Sequence, residues 1–482
     1  MLRRSQLISL ASAAKKNGGL DLMLRYNPVV RAKVLRLIRT FDRADAQGRQ
    51  ELTEALTARI LKLARQTEYG QGRREAYTSW PVLTNTQLRD SPDSFARRGA
   101  LSIPAATSGT TGLPIKLWRS SVCIAAEQAF LDHMVRSHGL TWAGARVATL
   151  RAMGTKSTSD LSPPYGLETH AGRRLVLSGL HLSAKTLPWF LDRLTSFRPD
   201  ILWTSPTMGA SLLHLMISTG QHLGIRIPLI LTSSAHFPPE LREAMEREWG
   251  GKIFDYYGQA ERVCFAVSSR AGEFWFNPAY GRVELTPSET DELTDGNRQI
   301  SIVATGFWNS AMPLVRYDTG DRAIVPATAT ETDLRAISLG LQPFGGIASR
   351  TDDFIVTSEG VRIGSLNAVP WEVENLLQVQ IVQESLNSVV VRALTLPRFS
   401  AADCARLEAN ARAKLPRSIA VRVEVVDRLH VGAHGKTPFV VRQIDQPPSC
   451  SVLSTHANQS ADPVITDQAP CATVAEVKEN PC

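Results

Sequence analysis

From residue 146 onward, short apolar runs alternate with longer stretches whose apolar positions recur every three or four residues. The runs "RVATL" (146–150), "DILWTS" (200–205), "IPLILTSS" (227–234) and "KIFDYYG" (252–258) predict strands. Between them, "AKTLPWFLDRLTSF" (184–197), "MGASLLHLMISTG" (208–220) and "PPELREAMEREWG" (238–250) predict helices. Gly220 and Gly250 close the second and third, and Pro238–Pro239 opens the third. Such alternation predicts an α/β architecture with a largely parallel sheet. Ligands of that architecture gather at the carboxyl ends of the strands, here around Ser205, Ser233 and Tyr257.

The texture changes between residues 281 and 350. "GRVELTP" (281–287), "RQISIVAT" (298–305) and "MPLVRYDTGDRAIV" (312–325) predict shorter β segments with turns, forming a barrel-like or antiparallel subdomain. After residue 352 the pattern is α+β. It comprises a hairpin in "DDFIVTSEGVRIG" (352–364), a helix through "VPWEVENLL" (369–377), a strand "SVVVRAL" (388–394), a helix "SAADCARLEANARAKL" (400–415) and a strand "AVRVEVVD" (420–427). The chain thus divides into a basic helical segment (1–60), a large domain (61–351) and a small domain (352–445). A tail (446–482) with prolines at 447, 448, 463, 470 and 481 has no periodic apolar face and is expected to be disordered.

With 482 residues and 43% hydrophobic side chains, the chain can build two or more cores. No apolar run is long enough to cross a bilayer. The start, "MLRRSQLISLASAAKK", imitates a signal peptide, but Ser5, Gln6, Ser9 and Ser12 break its apolar stretch, and an amphipathic helix is expected. Cysteines 123, 264, 404, 450, 471 and 482 show no paired spacing, which favours a reducing compartment, the cytoplasm. The net charge of +8 is local: residues 1–50 hold eleven Lys/Arg against three Asp/Glu. A solvated helical face accounts for this, with a membrane surface or acidic partner as the alternative. No interleaving of aromatic and basic residues points to nucleic acid.

The stretch "PAATSGTTGLPIK" (104–116) carries the first candidate chemistry. Glycine lets backbone N–H groups turn inward and the hydroxyls add donors, so the loop suits a polyanion such as a triphosphate; a polar surface linker has the same composition. It is no P-loop NTPase motif, because Gly112 is followed by Leu113, Pro114 and Ile115 before Lys116.

"TSGTTGLP" (107–114) resembles the phosphate loop of the adenylate-forming superfamily of acyl-CoA synthetases, luciferases and adenylation domains. "YYGQAE" (256–261) is similar to its aromatic–Gly–x–x–Glu motif, and "RYDTGD" (316–321) to its Tyr–Arg–Thr–Gly–Asp motif. "SRTDDFIVTSEGVRIG" (349–364) resembles its hinge segment, and "HGKTPFVVRQ" (434–443) its terminal Gly–Lys motif. Five motifs in order make the resemblance specific, and it covers roughly residues 60–445. "PVLTNTQLRD" (81–90) and "IVQESLNSVVVRAL" (381–394) resemble the phenylacetate–CoA ligase and CapK-like branch. The resemblance implies a small mobile C-terminal domain, ATP, Mg²⁺ and a carboxylic acid substrate, aromatic in the phenylacetate branch. It also implies an acyl-adenylate intermediate and commonly a second step giving a CoA thioester.

The resemblance assigns residues as well. Ser108, Thr110, Thr111 and the backbone at Gly109 and Gly112 would hold the β- and γ-phosphates, and Glu261 would bind Mg²⁺ with a loop threonine such as Thr110 as co-ligand. Tyr257 would offer a face to adenine beside Ser234 and Ala235, with Tyr256 in the core. Asp321 would accept the ribose hydroxyls, Arg350 would bridge phosphate or ribose, Asp352 would be the hinge, and Lys436 would enter for adenylation. On the residues alone, Glu261 and Asp321 are also turn residues, Arg350 a surface ion-pair partner and Lys436 a solvated lysine. Lys116 lies one place late, and Asp318, Asn85 and Ser349 replace a basic residue, a lysine and a glycine common in the family. None removes a group assigned to chemistry, and the acyl substrate stays open. Acyl transfer to an amine, hydroxyl or carrier protein and a non-catalytic nucleotide-binding relative are the alternatives.

Overall fold

The computed structural model describes residues 23–97, 99, 102–106, 115–151, 155–156, 160–233, 237, 239–287, 292–294, 296–348, 354–358, 362–363, 366, 369–370, 373–431 and 437–444. The alternating region builds an eight-stranded sheet from β1 (Val147–Arg151), β2 (Gly166–Thr169), β3 (Arg174–Ser178), β4 (Ile201–Thr204), β5 (Leu229–Ser233), β6 (Lys252–Gly258), β7 (Phe265–Arg270) and β8 (Glu273–Phe276). Their spatial order is β8-β7-β6-β5-β4-β1-β3-β2. Strands β6, β5, β4, β1 and β3 are mutually parallel, and the outer pairings are antiparallel.

Both faces of this sheet are covered, so every residue of β5 is buried and the run shows no polar alternation. Helices α1 (Pro28–Arg43), α2 (Ala46–Ala64) and α3 (Ser121–Arg136) share one core with Ile201, Leu229, Leu231 and Phe254. Helices α4 (Leu187–Phe197), α5 (Pro206–Thr219) and α6 (Pro239–Trp249) share the opposite core with Leu202, Ile230 and Ile253. Successive strand residues therefore go to opposite faces. Ser205 caps α5 by accepting from the Met208 N–H (3.3 Å).

Helix α1 buries Val30, Val34, Ile38 and Phe41, and exposes Lys33, Arg36, Arg39 and Arg43. Its Arg31 pairs with Asp132 of α3 at 3.0 Å. Residues 1–22 and the tail from 445 onward lie outside the described residues. Among the described residues, no helix is long and apolar enough to cross a membrane, and Cys123, Cys264 and Cys404 are free thiols.

The second sheet has five strands, with β9 (Gly281–Leu285), β10 (Asn297–Gly306), β11 (Tyr317–Pro326) and β12 (Gly346–Ala348) antiparallel in that order and Glu292–Thr294 folded onto β10. Among the described residues β9 and β12 do not pair with each other, so this is an open antiparallel sheet. Helix α7 (Glu331–Ser338) covers it through Leu334 and Ile337.

In the C-terminal part, Ile355–Val356 and Arg362–Ile363 form the expected hairpin. A four-stranded sheet follows from β13 (Leu376–Ser385), β14 (Ser388–Thr395), β15 (Ala420–Val425) and β16 (Val440–Arg442), in the order β15-β14-β13-β16, with α8 (Ala401–Lys414) beside it. The helix expected over 369–377 is not found among its described residues: Val369 and Pro370 lie in a turn, and β13 begins at Leu376. Helical spacing there loses to pairing of β13 with β14, which starts at Leu376 opposite Thr395. This unit sits on α5: Leu377, Leu394 and Leu429 join its core, and the Gln378 side-chain amide donates to Thr207 Oγ1 (2.8 Å).

Candidate functional site

Two chain segments are cross-linked where β6 leaves the first sheet and β11 enters the second. The Tyr257 hydroxyl donates to Asp321 Oδ2 (2.9 Å), and the Tyr317 hydroxyl donates to Glu261 Oε1 (2.7 Å). Each segment gives one tyrosine and one carboxylate, spaced four residues apart in both, so the two carboxylates cannot be repositioned independently. Glu261 and Asp321 are buried, while Tyr257 is half-buried. Burial, reinforced by the adjacent Asp321 charge, holds the Tyr257 hydroxyl well above its ordinary pKa, so it stays a donor.

Strand geometry explains the aim of Asp321. Tyr317, Thr319 and Asp321 share the buried face of β11. The register against β10 shifts between Ser301 and Val303, and Thr319 Oγ1 donates to the Ile302 carbonyl (2.9 Å) while accepting from the Asp321 N–H (3.1 Å). "DTGD" is therefore a bulge inside a continuous ten-residue strand rather than a turn between two strands. Gly320 adopts φ +71° in it, and a Cβ there would stand 3.1 Å from the Asn85 side-chain nitrogen. Asn85 also meets the Tyr317 hydroxyl, and its segment is zipped to β11 by Leu83 N–H to Arg316 C=O (2.9 Å) and Asp318 N–H to Leu83 C=O (2.9 Å).

Residues 259–264 hold Glu261 from beneath. The Gln259 amide donates to Cys264 Sγ (3.1 Å), and Arg119 donates to the Ala260 carbonyl (2.7 Å). Arg262 has φ +61°, a strained conformation for a side chain this large, and forms an ion pair with buried Glu127 of α3. Glu127 also accepts from the Tyr280 hydroxyl (2.6 Å). Gly306 allows the close approach, since a Cβ there would lie 2.3 Å from the Arg262 carbonyl oxygen. Burial pushes the Cys264 thiol up to about 12 and the Cys123 thiol up to about 11, so neither is a nucleophile.

Of the residues expected at the site, the structure brings Tyr257, Glu261 and Asp321 together. Tyr256 packs on Phe265, ring centroids 5.6 Å apart, at the edge of the core. Ser108, Gly109, Thr110, Thr111, Gly112, Ser234, Ala235, Arg350, Asp352 and Lys436 lie outside the described residues. The strands flanking the hydroxyl-rich loop, Ile103–Ala106 and Lys116–Arg119, are paired antiparallel, and Lys116 is engaged by Asp93 at 3.1 Å. Sequence reasoning missed Tyr317, Glu127, Arg262 and Tyr280. Period-two parity from Asp321 back to Tyr317 marks the first, and an acid inside the apolar run of α3 marks the second.

Residues 355–443 match the family model of the CapK C-terminal domain. Protein CapK of Staphylococcus aureus is 20% identical over 321 residues, covering 64% of this chain and 68% of that protein. Phenylacetate-coenzyme A ligase of Pseudomonas putida is 23% identical over 321 residues, covering 61% and 69%. In fold, a crystal structure of 2-hydroxyisobutyryl-CoA ligase in the postadenylation state superposes with a TM-score of 0.52 at 12% identity, over 82% of this chain and 90% of that one. The fold is thus similar to that of an acyl-CoA ligase. In sequence, the chain resembles the CapK and phenylacetate–CoA ligase branch of the adenylate-forming superfamily.

Proposed function

We propose that this protein activates a carboxylic acid with ATP, releasing pyrophosphate and forming an acyl-adenylate, and then transfers the acyl group to the thiol of CoA. The reciprocal tyrosine–carboxylate bridge carries this reading, since it fixes two acids with separate tasks at the carboxyl end of β6. The relatives named phenylacetate-coenzyme A ligase, and the 2-hydroxyisobutyryl-CoA ligase structure with bound acyl-AMP, support the same chemistry.

A carboxylate is a poor acylating agent because its oxygen leaves badly; attack on the α-phosphate replaces that leaving group with AMP. Asp321 accepts the ribose hydroxyls, and the exposed side of Tyr257 takes the base beside Ser234 and Ala235. Ser108, Gly109, Thr110, Thr111 and Gly112 cradle the β- and γ-phosphates, with Arg350 near phosphate or ribose. Among the described residues, no cluster of three or more His, Cys, Asp or Glu holds a metal unaided, and Glu261 makes one side-chain hydrogen bond. That donor set fits Mg²⁺, which takes one or two protein carboxylates and completes its shell with phosphates and water. When bound, Mg²⁺ supplies charge neutralisation for the polyphosphate. Lys436 neutralises charge between carboxylate and α-phosphate, and rotation about Asp352 exchanges the two half-reactions.

A panel of carboxylic acids assayed for pyrophosphate release, with and without CoA, tests the proposal. Acid-dependent release with CoA consumption is expected; release without CoA consumption redirects the acyl group to another acceptor, and no acid-dependent release refutes activation. Asp321→Ala should weaken ATP binding by on the order of 1–3 kcal/mol, read by calorimetry, as loss of a charge-assisted acceptor requires. Glu261→Gln should raise the Mg²⁺ concentration for half-maximal pyrophosphate release about tenfold, because the amide keeps the Tyr317 hydrogen bond and loses the charge.

A further inference from the structure

A fixed guanidinium stands apart from the paired bridges, at the carboxyl end of β1, which lies between β4 and β3. Arg151 ends β1, and the sheet register places it on the same face as Trp203 of β4, Ser233 of β5 and Tyr256 of β6. Its guanidinium lies 4.6 Å from the Trp203 ring centroid and donates to Ser233 Oγ (3.2 Å). Stacking and the hydrogen bond fix its plane. It is half-buried, yet among the described residues no carboxylate forms an ion pair with it. Arg262 has Glu127 and Arg316 has Glu284 at 3.0 Å, and half-buried Arg119 and Arg174 donate to backbone carbonyls, whereas the Arg151 guanidinium donates to a serine hydroxyl. A partly desolvated guanidinium without a counter-charge is costly unless a ligand supplies the anion, and its planar fork matches a carboxylate.

The side chain reaches from β1 across β4 to β5, leaving it about one strand spacing, roughly 5 Å, from β6, which leads into Tyr257 and Glu261. We infer that the acid activated here carries a second anionic group, a carboxylate in the simplest case, and that Arg151 binds it while the first carboxylate reacts. This rests on the acid-activating reading. It replaces an aromatic acid with a short dianionic one as the substrate class, because a monoanionic ring would leave the guanidinium unpaired.

The test is ATP–pyrophosphate exchange driven by succinate, glutarate and adipate, each against its monomethyl ester, which keeps the shape and removes the distal charge. Butyrate and phenylacetate serve as monoanionic references. The wild type should prefer a diacid over its own ester by about tenfold or more, the scale of one charge-assisted pair. Arg151→Gln should abolish that preference, Arg151→Lys should keep part of it, and both should retain the wild-type KM for ATP and circular dichroism. Equal use of diacid and ester, a preference for the monoanions, or a preference unchanged in Arg151→Gln overturns the inference while leaving acid activation standing. A raised KM for ATP with unchanged acid selectivity assigns Arg151 to the nucleotide and equally overturns it. Silence with every acid counts against activation itself, and the inference falls with it.

Discussion

Lys436→Ala should slow acyl-adenylate formation about a hundredfold or more, the scale of losing one preorganised electrostatic contact to a developing charge. The same variant, given a synthetic acyl-adenylate and CoA, should form thioester at close to the wild-type rate. The asymmetry follows from the proposed division of labour: an ammonium carried by the small domain serves only the orientation in which carboxylate and α-phosphate react. On the proposed mechanism, rotation about Asp352 would remove it before the thiol attacks. Rapid-quench measurement of the two half-reactions separates them, with circular dichroism establishing an intact fold. Equal loss in both would reject the rotation, and no loss in either would leave Lys436 a solvated lysine.

Glu127→Gln should lower the free energy of unfolding by about 3 kcal/mol, because it leaves the Arg262 guanidinium and the Tyr280 hydroxyl facing a neutral amide in a mostly buried setting. Breaking one side of such a pair costs far more than the pair contributes. Arg262 also sits at φ +61° immediately after Glu261, so loss of its anchor should loosen the loop and raise the Mg²⁺ requirement as well. The double variant Glu127→Gln with Arg262→Gln should recover part of the lost stability, a coupling read from denaturant unfolding of the four proteins of the cycle. A change below about 1 kcal/mol in Glu127→Gln would show that the ion pair is not what holds the loop.

The parallel sheet was legible because its strands are nearly unbroken apolar runs and its helices carry their own punctuation. "IPLILTSS" becomes Leu229–Ser233, and "MGASLLHLMISTG" ends at the capping Gly220. The two acids and Tyr257 were legible through their motifs. What could not be read was anything defined by a partner distant in sequence. The bulge at Thr319–Asp321 depends on the register of β10, so "DTGD" reads locally as a turn. The stretch 369–377 has helical spacing, and only pairing with β14 makes its end a strand. Glu127 and Arg262 are 135 positions apart, and neither announces the other. Arg151 is informative through an acid it does not contact, which no sequence pattern encodes.

The central claim is that a carboxylate oxygen of the substrate attacks the α-phosphate of ATP. With the acid that the exchange panel selects, labelled with ¹⁸O in its carboxylate, a full turnover should place one ¹⁸O in the AMP product, detectable by mass spectrometry. The labelled oxygen bridges carbon and phosphorus in the adenylate and stays on phosphorus when the thiol displaces AMP. Label in inorganic phosphate, or AMP without label during acid-dependent turnover, would contradict the account.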